Sequence, residues 1–91
     1  MITKIGAKEF KERVKNKLIQ VDNDINENDL YFTQTTMGYF LDYKPQYPQQ
    51  TSADFFVYQD LNGSISVHGN MQAIVPTIST YENIDDFELS L

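Results

Sequence analysis

Apolar side chains recur at spacings of three and four near the start of the chain. Ala7, Phe10, Val14, Leu18 and Val21 fall on one helical face, which predicts an amphipathic helix from Ala7 to about Val21. Gly6 is an acceptable N-cap, and Glu9 stands in the first turn, where a carboxylate meets the positive end of the helix dipole. The run Asp22-Asn23-Asp24-Ile25-Asn26-Glu27-Asn28-Asp29 should end the helix, because Asp and Asn compete for backbone hydrogen bonds and favour turns.

The pattern then changes to β-branched and aromatic residues. Leu30 to Thr35 and Met37 to Tyr43 read as a hairpin around Thr36. Lys44 to Ser52, with two prolines, reads as a loop or an exposed edge segment. Asp54 to Gln59 and Ser64 to His68 read as strands. Asp60-Leu61-Asn62-Gly63 between them is the strongest local signal, since Asn and Gly tolerate the left-handed conformation of a tight hairpin. Met71 to Ser79 is a further apolar strand, interrupted at Pro76 and therefore at an edge or bulged. A short helix from Tyr81 to about Ser90 follows. Ser79 and Glu82 fit a capping box, and Tyr81, Ile84, Phe87 and Leu91 form its inward stripe. Consecutive strands joined by short turns predict an α+β fold: an N-terminal amphipathic helix, an antiparallel sheet of four or five strands, and a short C-terminal helix.

Composition bounds the rest. At 91 residues the chain reads as a single domain, 1–91. It buries about 60–65% of its unfolded surface at this length, which leaves room for a homodimer. The absence of cysteine excludes a disulfide scaffold and a thiol nucleophile and suits a reducing cytoplasm. The longest apolar run, Phe55-Phe56-Val57-Tyr58, is far short of the roughly 20 residues of a membrane span. Met1 to Lys17 is charged throughout, unlike a signal peptide.

Charge is placed unevenly. Residues 1–17 hold six bases against two acids, whereas residues 18–91 hold one base, Lys44, against eleven acids. Such asymmetry implies internal neutralisation on folding or a charged partner.

Catalytic and metal chemistry find little footing. Asp22, Asp24 and Asn26 open like a calcium loop, but Glu27 replaces the glycine of the sixth position and Thr33 the glutamate of the twelfth. His68 is the single imidazole and lacks a Cys or a second His for zinc. No nucleophile elbow or glycine-rich phosphate loop is present. No enzyme activity, metal or cofactor is expected. Lys4, Lys8, Lys11 and Lys15 could form a phosphate-tracking stripe if the helix reached back to Lys4, but the overall negative charge opposes direct nucleic-acid binding. Pro45-Gln46-Tyr47-Pro48 has the spacing of a polyproline ligand, without a flanking arginine.

The acidic set is the leading candidate for a partner-binding surface. Asp22, Asp24, Glu27 and Asp29 share one loop; Glu82, Asp85, Asp86 and Glu88 belong to the last helix. Carboxylates three or four apart on a helix stand about 4.5–6 Å apart along its axis. Phosphates on a DNA strand are about 3.4 Å apart along its axis. A rigid acidic array could therefore imitate a DNA backbone, with Leu89 as an apolar anchor. The partner so implied is a protein, in the sharpest version a basic nucleic-acid-binding one.

The opening Ala7-Lys8-Glu9-Phe10-Lys11-Glu12-Arg13-Val14 and the close Tyr81-Glu82-Asn83-Ile84-Asp85-Asp86-Phe87-Glu88 resemble the ends of small orphan proteins from low-GC Gram-positive bacteria, their phages and mobile elements. Some phage proteins of that loose class are similar in size and acidity and act as anti-restriction or anti-CRISPR inhibitors. The resemblance implies an inhibitor acting by protein binding. The alternative is a small accessory or structural protein acting through self-association.

Overall fold

The computed structural model describes residues 4–44, 55–69 and 78–91. The element order is α1 (Ala7–Val21), β1 (Leu30–Thr35), β2 (Gly38–Tyr43), β3 (Phe55–Asp60), β4 (Ile65–Gly69), β5 (Ile78–Tyr81) and α2 (Ile84–Ser90). This is the α+β architecture expected from the sequence. The Pro45-Gln46-Tyr47-Pro48 motif, the remainder of the loop up to Ser52, Asp54, and residues 71–77 with Pro76 lie outside the described residues.

The helix α1 follows its apolar spacing. Phe10, Val14 and Leu18 are fully buried, while Ala7 and Val21 at its ends are half-buried. Gly6 caps it without a side-chain bond, and the helix does not reach back to Lys4. Asp22 leaves it in an extended conformation. The Asp and Asn side chains of the next turn bond to backbone as their chemistry predicts. Asp22 accepts from the Asp24 N–H and Asn26 from the Asn28 N–H, at 3.0 and 2.9 Å. A 3-10 turn, Glu27–Asp29, then delivers the chain to β1.

The five strands pair antiparallel in sequence order, with β1 and β5 at the edges among the described residues. Met37 belongs to the β1–β2 turn and not to β2. Gly38, at φ 147°, starts β2 because a Cβ there would stand 2.0 Å from the Gln59 carbonyl oxygen. The β3–β4 turn is held by Asp60, whose carboxylate accepts the Asn62 and Ser64 N–H groups at 2.8 and 3.0 Å. Only Gly63 there adopts the left-handed conformation, at φ 92°. Asn62 does not, because three residues between the paired Asp60 and Ser64 need one left-handed position.

The start of α2 corrects the capping expectation. Ser79 and Tyr81 lie in β5, and Asn83 is the N-cap, accepting from the Asp86 N–H at 2.8 Å. Ladder pairing of Ser79 with Val67 and of Tyr81 with Ile65 takes the residues that a helix starting at Tyr81 would have needed. Tyr81 still packs edge-on against Phe87, but from the sheet.

Both helices lie on one face of the sheet. Leu41, Tyr43, Phe55, Val57, Ile65 and Val67 point to that face and form one core with Phe10, Val14, Leu18, Ile84 and Phe87. The residues alternating with them, Phe40, Asp42, Phe56, Tyr58, Ser66 and His68, point to the opposite face, over which no described element packs.

Candidate functional site

Two surfaces concern function: the acids around α1, and the sheet face away from the helices. On the first, Arg13 stands where α1 meets α2. Its guanidinium donates to Glu9 at 2.9 Å, to Asp85 at 2.6 Å, and to both carboxylate oxygens of Glu88. The bonds to Glu88 and then Asp85 hold the Arg13 pKa above its ordinary value, against the burial that lowers it. Glu88 is thereby turned toward α1, and Asp85 is shared with it, so the α2 acids do not form a uniformly unpaired row. Glu82 lies ahead of the helix and is exposed; Asp86 is half-buried in its first turn. Leu89 is 85% exposed.

The loop acids gather at the other end of α1. Asp29, Asp22 and Asp24 all lie close enough to Tyr43 to raise its pKa, after the larger effect of burial. Glu27 pairs with Lys15 at 3.5 Å. Asp22, Asp24 and Asp29 thus act on one side chain from a single loop. Arg13 and Lys15 of α1 are the cations tied to the two acidic sets.

The lysines of the N-terminal segment are also turned to the chain's own groups. Lys4 stands over the Tyr39 ring at 5.2 Å and Lys11 over the Phe32 ring at 6.0 Å, both within cation–π range. With Lys15 on Glu27, three of the four stripe lysines have internal partners.

The second surface is the sheet face away from the helices. Phe40 stacks on Tyr58 at a ring separation of 4.5 Å, Phe40 meets Phe56 at 5.7 Å, and Phe56 stacks on His68 at 4.7 Å with ring planes 12° apart. None of these rings belongs to the helix-side core. The Tyr58 hydroxyl donates to the Met37 carbonyl at 2.7 Å, and a 3.0 Å hydrogen bond joins His68 Nε2 and Ser66 Oγ. Tyr31 on edge strand β1 is half exposed. A hollow of about 250 Å³ opens at one end, lined by Asp42, Lys44, Phe56 and His68 among others. The sequence did carry the signal. An antiparallel strand with one wet face alternates apolar and polar residues, but Phe55-Phe56-Val57-Tyr58 is apolar or aromatic on both.

Among the described residues no set of three or more His, Cys, Asp or Glu side chains is arranged to hold a metal ion, and no helix is long and apolar enough to cross a membrane. No family model, curated protein or solved structure matches the chain.

Proposed function

We propose that this chain is a non-enzymatic binding module for a basic protein, met in the cytoplasm. The observation that supports this best is the pairing of an aromatic sheet face, over which no described element packs, with negative charge. Phe40, Phe56 and Tyr58 lie beside Asp42 on a sheet whose described strands contain no Lys or Arg. Aromatic rings are enriched where proteins meet proteins, and the net charge of −6 draws a cationic partner over long range. Titration with a nona-arginine peptide tests the proposal. Binding at low salt that weakens toward about 0.15 M is expected, with no retardation of duplex DNA. Silence toward the peptide, or capture of the DNA, overturns it.

A sharper version is an acidic DNA-mimicking inhibitor of a nucleic-acid-binding protein. The negative charge that Asp22, Asp24 and Asp29 direct at Tyr43 from one loop favours it. In that version these three carry most of the charge with Glu82 and Asp86, Leu89 anchors, and Asp85 and Glu88 contribute less because Arg13 holds them. The chain should then displace duplex DNA from a basic DNA-binding protein. Charge reversal by Asp22→Lys with Asp24→Lys should abolish the displacement, and undiminished competition counts against the mimicry.

A further inference from the structure

Asn62 is the one asparagine in the sequence followed by glycine, and the pair lies at the tip of the β3–β4 hairpin. Asn62 is exposed. Gly63 has no side chain to screen its backbone nitrogen from the side-chain amide of Asn62. Attack of that nitrogen on the Asn62 side-chain carbonyl carbon closes a five-membered ring. The turn restrains the same atoms. Gly63 is buried at φ 92°, and its N–H donates to the Asp60 carbonyl at 3.2 Å. One oxygen of the Asp60 carboxylate accepts the Asn62 N–H at 2.8 Å and the Ser64 N–H at 3.0 Å. Asp60 therefore pins the amides on both sides of the Gly63 nitrogen and, through its carbonyl, that nitrogen too.

We propose that Asn62 is a site of spontaneous covalent modification, deamidation through a cyclic imide, and that Asp60 sets its rate. The Gly63 nitrogen gives its proton to solvent hydroxide and bonds to the Asn62 side-chain carbonyl carbon. The side-chain nitrogen takes up a proton and leaves as ammonia. Water then opens the imide at either carbonyl. One opening leaves aspartate at position 62; the other leaves isoaspartate, with one more CH2 in the backbone. Nothing is oxidised or reduced. While the turn is closed, the Gly63 nitrogen keeps its proton in a hydrogen bond, near a carboxylate that opposes negative charge developing on it. Conversion therefore waits on local opening of the hairpin tip. The products do not refit the turn equally. Both add one negative charge two residues from Asp60, in a chain whose net charge is already −6. Isoaspartate also lengthens the three-residue connection that Gly63 closes. It should loosen the tip and then the first rung below it, Gln59 against Ile65.

The test holds the full chain at mildly alkaline pH, folded and in urea, and follows each asparagine by fragment mass spectrometry. In urea Asn62 should be the first asparagine to convert, with isoaspartate among its products. In the folded chain its conversion should be slower by about ten-fold or more, since the hydrogen bonds of the turn must open first. Asp60→Ala should remove most of that protection, and Asn62→Gln should abolish conversion at this position, because its ring would need six members. Should Asp60→Ala fail to fold, amide exchange at Gly63 in the parent chain decides. It should be slowed by a factor similar to that of Asn62 conversion, because both wait on the same opening. Another asparagine converting ahead of Asn62 in urea overturns the site. Equal rates in the folded and urea-unfolded chains, or in the parent and a folded Asp60→Ala, overturn the control by Asp60. So does a Gly63 amide that exchanges freely while Asn62 is protected.

Discussion

The side-chain amide of Gln59 clasps the backbone of Ile5 at both its polar groups. Gln59 Nε2 donates to the Ile5 carbonyl at 3.1 Å, and the Ile5 N–H donates to Gln59 Oε1 at 3.2 Å. Gln59 is fully buried, the one polar side chain so placed among the described residues. It ties the segment ahead of α1 to the centre of the sheet.

Replacing Gln59 by Leu keeps most of the volume but leaves the partly buried Ile5 N–H and carbonyl without their side-chain partner. A loss of roughly 2–3 kcal/mol is expected in urea unfolding. Hydrogen exchange at the Ile5 amide should speed up by more than the global loss accounts for, which separates a broken clasp from a general packing defect.

Two glycines should respond in opposite directions. At Gly38 a methyl group would overlap the Gln59 carbonyl oxygen, and β2 and β3 would have to part. Gly38→Ala should cost more than about 3 kcal/mol or prevent folding. Gly6 has open space around it and caps α1 at φ −73° without a side-chain bond. Gly6→Ser supplies the missing acceptor and should add a few tenths of a kcal/mol. Thermal unfolding of the two variants checks both signs.

What could be read from the sequence was local. The three-and-four spacing of Phe10, Val14 and Leu18 gave α1, the Asp/Asn run its end, and Asp60 to Gly63 a turn. Each depends on residues a few positions apart. The Arg13–Glu88 bridge and the Gln59–Ile5 clasp span 75 and 54 positions, and no local rule reaches that far. The helix start was misplaced because Ser79 and Asn83 both satisfy capping chemistry, and strand pairing with β4 decided between them. The loop acids were grouped by sequence adjacency. The α2 acids were too, without a way to see that Arg13 would take two of them. The residues of the aromatic face emerge only when Phe55 to Tyr58 is split by alternation into two faces, since as a run it reads simply as apolar.

Arg13 should prove a stronger brace than a typical surface ion pair. Exposed pairs contribute only about 0–1 kcal/mol, and Asp85 and Glu9 are exposed enough to count at the low end. The two-oxygen contact with the half-buried Glu88 is the stronger part. Arg13→Gln should cost about 1–2 kcal/mol, and Arg13→Lys should recover little of it, since an ammonium cannot reach three carboxylates in one plane. A double-mutant cycle with Glu88→Gln isolates the interhelix pair, and its coupling should shrink only partly in high salt.

Tyr43 should make the fold sensitive to alkali. Burial first, and then Asp29, Asp22 and Asp24, raise its pKa above the ordinary value of about 10. A phenol whose folded pKa is raised adds stability that is fully present below the unfolded pKa. That stability disappears as pH climbs through the folded value, because the unfolded chain loses the proton first. Stability should therefore be level below about pH 10 and fall above it. Tyr43→Phe should flatten that fall, since it has no proton to lose. Asp29→Asn should bring the Tyr43 midpoint down toward the ordinary value while leaving the burial effect in place. Phenolate absorbance, read as the difference between the parent chain and Tyr43→Phe, follows the single group. A Tyr43 midpoint that does not move in Asp29→Asn, Asp22→Asn or their combination would mean the loop acids are not gathered at this end of the sheet. That result would also remove the support these acids lend to the DNA-mimicking version of the function.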